Sequence, residues 1–227
     1  EMQRSLVGSE MCIRDRFYGI EINDFAVSVA KAALWIAESQ MIAETRDTVE
    51  QWIDVFPLSN ISNIVEGNAL RMNWNDVIPA SECSYIIGNP PFLGASNCSA
   101  VQKQEIVDLY GKIKLSNSLD YVAGWYYKAC EYIKETSIRC AFVSTNSITQ
   151  GEQVYPIWHT LRERFDIKID FAWTTFVWDS EASDKAHVHV VIIGFSNNSL
   201  DCGIPKLFDP HTNSSNEVKS ISPYLTN

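Results

Sequence analysis

Long apolar runs are missing from this 227-residue chain: none reaches the roughly 18 residues of a membrane span, so the chain reads as soluble. Cysteine patterning is missing too. Cys12, Cys83, Cys98, Cys130, Cys140 and Cys202 include no C-x-x-C pair and no zinc spacing. Most lie in apolar stretches, as reduced thiols in a cytoplasmic setting do, which disfavours a disulfide framework. Basic residues are scarce, 18 against 28 acidic, for a net charge of −10. That balance argues against gripping nucleic acid over a broad surface, though not against a catalytic domain held there by a neighbouring module. No internal repeat is present. The opening EMQRSLVGSEMCIRDR (1–16) lacks an initiator methionine, any periodicity and the apolar core of a signal peptide. It resembles a translated sequencing adapter, so the authentic protein is expected to begin near Phe17 as a fragment; a disordered tail is the alternative.

What is present suits one α/β domain with a sizeable core, with 46% hydrophobic residues. FYGIEI (17–22) reads as a strand ending in an acid, and Asn23-Asp24 caps a helix over 25–44, with Val29, Ala33, Ile36 and Ala37 at helical spacing. SNIVEG (62–67) and SYIIG (84–88) are further strands, the latter apolar enough to be covered on both faces. A long loop over 92–117 holds one helical piece near 100–110, and helices follow at 119–135 and 154–165. Strands at 139–147, 167–176 and 187–195 complete the set, and the polar tail reads as a connector. Alternating strands and helices specify a mostly parallel, doubly wound sheet with an antiparallel finish. Ligands bind such sheets at the carboxyl ends of the strands, which lines Glu21, Asn68 and the residues 89–92 along one edge.

SYIIGNPPFLGAS (84–96) then poses the question of why a buried strand should stop at Asn-Pro-Pro-Phe. A turn would suffice, since proline cannot donate to a sheet ladder. The ordered set GIEIN (19–23), GNAL (67–70), GNPPF (88–92), SLDYVAGWY (118–126), CAFVSTNSI (140–148) and FVWDSEASDKAHVHVVIIGF (176–195) points further. It resembles the amino-DNA methyltransferases, closest to the gamma-class N6-adenine enzymes in the methyltransferase region of large single-chain restriction-modification proteins. The likeness covers nearly everything from 17 to 225.

The resemblance implies a Rossmann-like fold that uses S-adenosyl-L-methionine to methylate adenine N6 in double-stranded DNA. Asn89 and Pro90 would accept the two N6 hydrogens, with Pro91 stiffening the turn and Phe92 stacking on a flipped base. Phe176, with Trp178 in reserve, would cover the other face of the base; ordinary packing explains either equally well. Glu21 would bind the cofactor ribose, Ile22 would touch its adenine, and Asn68 with Ala69 would meet the adenine edge, Asn68 standing where the family usually has Asp. Asp120 shapes the pocket or merely caps a helix. No metal is expected: His187 and His189 share a strand face without a third ligand, and Ser144 and Ser147 have no visible partner.

The family's first strand and glycine-rich cofactor loop are not in the leader, so the fold is expected to lack its first, central strand. The catalytic domain is then partial over 17–196, with 197–227 a connector toward a target-recognition domain and any nuclease domain upstream. Alone, the piece is expected to bind cofactor poorly. Two other substrates fit the same motif, guanine N2 in RNA and glutamine in protein, and so does an inactive DNA-binding module with this fold.

Overall fold

The computed structural model describes residues 16–49, 63–111, 113, 118–178 and 188–226. Residues 1–15, His187 and most of the loop before it lie outside that set. The chain divides into two compact units, 1–79 and 80–227.

In the first unit, β1 (Gly19–Glu21) and β2 (Ile64–Glu66) pair in parallel, and α1 (Asp24–Val49) connects them. Asn23 Oδ1 accepts from the Phe25 and Ala26 amides at 2.9 and 3.2 Å, so the predicted cap forms. The predicted apolar stripe does not face inward. Val29 and Ile36 are about half exposed, whereas Val27, Glu38 and Ile42 are buried. Apolar residues occur on two faces of α1, and a two-stranded sheet covers only one.

The second unit holds β3 (Tyr85–Gly88), α2 (Ala100–Tyr110), α3 (Ala123–Ile133), β4 (Arg139–Thr145), α4 (Val154–Phe165), β5 (Ile167–Trp178) and β6 (Val188–Asn197). Two strands the sequence reading had left as connector follow, β7 (Lys206–Asp209) and β8 (Ser214–Glu217). They extend one sheet of order β3-β4-β6-β5-β7-β8. The register makes β3, β4, β5 and β7 run one way and β6 and β8 the other, so the expected α/β sheet with an antiparallel β6 is present. The strand β3 is less covered than its composition suggests: it lies at the sheet edge, with Tyr85 71% and Ile87 80% exposed.

Aromatic rings carry the core. Tyr126 of α3 meets Phe142, Trp158 and Phe195 at ring-centroid distances of 5.3, 5.6 and 5.3 Å. Its hydroxyl shares a 2.7 Å hydrogen bond with Ser144 Oγ, and Trp158 donates to the Ile148 carbonyl at 2.8 Å. The polar atoms of this core are thus satisfied, as burial requires. Left-handed Asp166 (φ 50°) ends α4, its amide donating to Arg162 O at 3.0 Å.

Candidate active site

Strand β3 stops at Gly88 because Pro90 and Pro91 carry no amide for a ladder. Gly88 is also where Phe142 of the neighbouring strand lies close, since a Cβ there would be 3.2 Å from two ring atoms. Beyond it Pro90 is buried, Phe92 half-buried and Asn89 exposed. The Asn89 side chain makes no hydrogen bond to the described residues, so its amide oxygen faces outward with both lone pairs available. Register places Phe176 on the same edge of the sheet, for Val190 of β6 stands opposite both Thr145 of β4 and Phe176 of β5. Trp178 lies two residues further and is 39% exposed, its ring centroid 6.4 Å from that of Phe176.

In the first unit the carboxyl ends of β1 and β2 come together, and the Gly67 amide donates to the Glu21 carbonyl at 2.8 Å. Glu21 Oε1 turns back onto its own turn, accepting from the Ile22 and Asn23 amides at 2.9 and 3.3 Å. Ile22 is 69% exposed beside it. Asn68 Oδ1 accepts from the Leu70 amide at 2.9 Å, and the Ala69 carbonyl accepts from Trp74 Nε1 at the same distance. A Cβ at Gly67 would lie 2.2 Å from Met72 Sδ, so any side chain there would displace the methionine. Glu21, Ile22, Asn68 and Ala69 therefore form one group, and Asn89, Pro90, Pro91, Phe92, Phe176 and Trp178 belong to the other unit.

The sequence reading missed what surrounds Asp120. Its side chain caps no helix, since α3 has Val122 at the N-cap and no side-chain cap bond. Its carboxylate is buried and accepts from the Ala95 amide, Gln153, Thr145 and Ser147. Ser144 and Ser147, which looked partnerless, bond Tyr126 and Asp120. No sequence signal pairs residues so far apart. Among the described residues no group of side chains could hold a metal, and His189 is an exposed residue of β6. A cavity of about 330 Å³ lies between Arg139, Asp170, Trp173, Lys206 and Phe208 and is lined by none of the expected site residues.

Comparison with known proteins shows the family. The family described as "MmeI, DNA-methyltransferase domain" matches residues 3–208. DNA methyltransferase A of Bacillus subtilis is 44% identical over 215 residues, a match covering 93% of this chain and 24% of that protein. The structure of the type IIL restriction-modification enzyme MmeI in complex with DNA superposes with a TM-score of 0.86 at 42% identity, over 93% of this chain and 29% of that one. The chain thus spans about a quarter of the length of the relatives it matches. A type I restriction-modification methyltransferase subunit from Streptococcus thermophilus shares the fold at a TM-score of 0.51 and 14% identity.

Proposed function

The chain belongs to the family of MmeI-type DNA-methyltransferase domains, and on that premise we propose that it methylates adenine N6 in DNA as the catalytic part of a longer restriction-modification protein. One observation carries the choice: an unshared amide oxygen, Asn89 Oδ1, stands beside a rigid Pro-Pro turn and a half-buried ring, Phe92, at the carboxyl edge of the sheet. An exocyclic amino group is a poor nucleophile because its lone pair is delocalised into the ring. Asn89 Oδ1 and the Pro90 carbonyl each accept one N6 hydrogen, favouring a tetrahedral nitrogen with a localised lone pair. The prolines hold those acceptors still. Phe92 stacks on the base, which must leave the duplex to arrive there, and such stacking is worth about 1–3 kcal/mol. Phe176 covers the opposite face.

The methyl donor would be S-adenosyl-L-methionine, and the first unit fits such a group. Glu21 leaves one carboxylate oxygen to accept ribose hydroxyls, and Ile22 offers an exposed apolar surface to an adenine, with Asn68 and Ala69 on the turn after β2 beside them. The bound donor supplies a methyl group already activated on a sulfonium, so positioning rather than a metal or covalent step governs the rate. In a longer, cytoplasmic protein a target-recognition domain would hold the DNA, and a parallel strand carrying a glycine-rich turn would pair along β3, which ends the sheet among the described residues.

The test is methyl transfer by the full-length protein to duplex DNA. Asn89→Ala abolishes incorporation while DNA binding persists, and nucleoside analysis of the product yields N6-methyladenine. Methylated cytosine in the product, or an active Asn89→Ala, would reject the reading.

A further inference from the structure

The polar cluster around Asp120 has no part in the chemistry above, yet its carboxylate is bonded by four residues. Asp120 is 5% exposed, and its acceptors are met from several places in the chain. Oδ1 accepts from the Ala95 amide at 3.0 Å and from Gln153 Nε2 at 3.3 Å. Oδ2 accepts from the Ser147 hydroxyl, and the Thr145 hydroxyl lies within reach of both Oδ2, at 3.3 Å, and Ser147 Oγ, at 2.9 Å, with one proton to give to either. The Asp120 amide donates to Gln153 Oε1 at 2.7 Å, and the Tyr121 amide donates to the Leu93 carbonyl at 3.0 Å.

These bonds run from the segment just after Phe92 to the start of α3 and the end of β4. That segment has little structure of its own: Gly94 is extended (φ −61°, ψ 149°), and one turn, Ala95–Asn97, follows without a side-chain cap. We propose that Asp120 is a positioning residue for methyl transfer, clamping Leu93–Ala95 to the end of β4 so that Asn89, Pro90 and Phe92 hold their places under a flipped base. It touches neither base nor donor and acts through the loop. The proposal rests on the reading of Asn89–Phe92 as the amino-group site.

Two variants probe the clamp from opposite ends. Ala95→Pro removes the amide that Asp120 accepts, at a point where Gly94 already has the angles a residue before proline prefers and where the first position of a turn suits proline. Asp120→Asn turns one oxygen into a donor facing the Thr145 and Ser147 hydroxyls, whose protons it had accepted in part. In the full-length protein, single-turnover methyl transfer is measured together with DNA affinity and the active fraction. Each variant is expected to lose about tenfold to a hundredfold in rate with unchanged DNA affinity. The double variant is no slower than the slower single one, because both remove the same link. Wild-type rate in a folded single variant, fully additive losses, or a loss explained by a smaller active fraction overturns the clamp. If Asp120→Asn does not fold, Ala95→Pro decides alone. The variant Asn89→Ala, run in parallel, separates the failures: if it still methylates, the site reading falls and the clamp with it, whereas if it is dead the clamp is judged on its own variants.

Discussion

A methyl group added at Gly194 has nowhere to go. Its Cβ would sit 2.0 Å from Phe171 Cε1, whose ring lies across the neighbouring strand. Gly194→Ala is therefore expected to cost about 1–3 kcal/mol as the ring is forced aside, read as a lower urea midpoint at unchanged slope. Burial acts on single thiols as well. It pushes the Cys130 and Cys140 thiols well above their ordinary value, so both remain protonated in the native protein. Alkylation near neutral pH followed by peptide mapping should leave Cys130 and Cys140 unmodified until denaturant is added; native-state labelling of either would contradict that burial. The sequence was most legible at this scale where chemistry is local. Asn-Pro-Pro-Phe and the acid that ends β1, Glu21, are short motifs read from adjacent residues, and the roles given to them are the proposal above. Asp120 is the opposite case, because its partners Ala95, Thr145, Ser147 and Gln153 lie 25 to 33 positions away.

At the scale of elements, legibility followed how much each one announces by itself. The α2 helix opens with a capping box of Ser99 and Gln102, and α4 carries a clear apolar face, so both were readable from local pattern. The strand β8, Ser-Ser-Asn-Glu, has every residue exposed and forms only because β7 offers it an edge. The exposed side of α1 went unread because two apolar faces compete there. A bulge in β5 between Ile169 and Phe171 places Asp170 half-buried, where burial raises its carboxyl above the ordinary value despite hydrogen bonds from Ser196 and Cys202. The folded state then holds this proton more tightly than the unfolded chain. Its contribution to stability is greatest at low pH and is lost as pH rises from 3.8 through the raised folded value. Asp170→Asn should accordingly raise the unfolding midpoint at neutral pH, with the gain shrinking as pH falls toward 3.8. A gain independent of pH would assign the effect to packing instead.

At the scale of the molecule, two features bear on the proposed place in a longer protein: a net charge of −10 and a sheet that ends, among the described residues, at β3. The acidic balance fits the proposal that DNA is held by other parts of a longer protein, for the relatives are about four times longer and this chain covers 24% and 29% of them. The edge is more informative. A free apolar strand is a template for pairing, and natural proteins cover or charge such strands. In β3 the two outward residues, Tyr85 and Ile87, are apolar and almost fully exposed, with no charge to discourage a neighbour. Ile87→Lys distinguishes an edge that is free by nature from one that a further strand covers in the longer protein. In the present chain the side chain buries little, so the substitution should leave the melting temperature unchanged while reducing concentration-dependent association, measured by sedimentation velocity. In the full-length protein, where a parallel strand is proposed to pair along β3, the lysine would face packed neighbours and the melting temperature should fall. A melting temperature unaffected in both would leave β3 a true edge and remove the proposed strand.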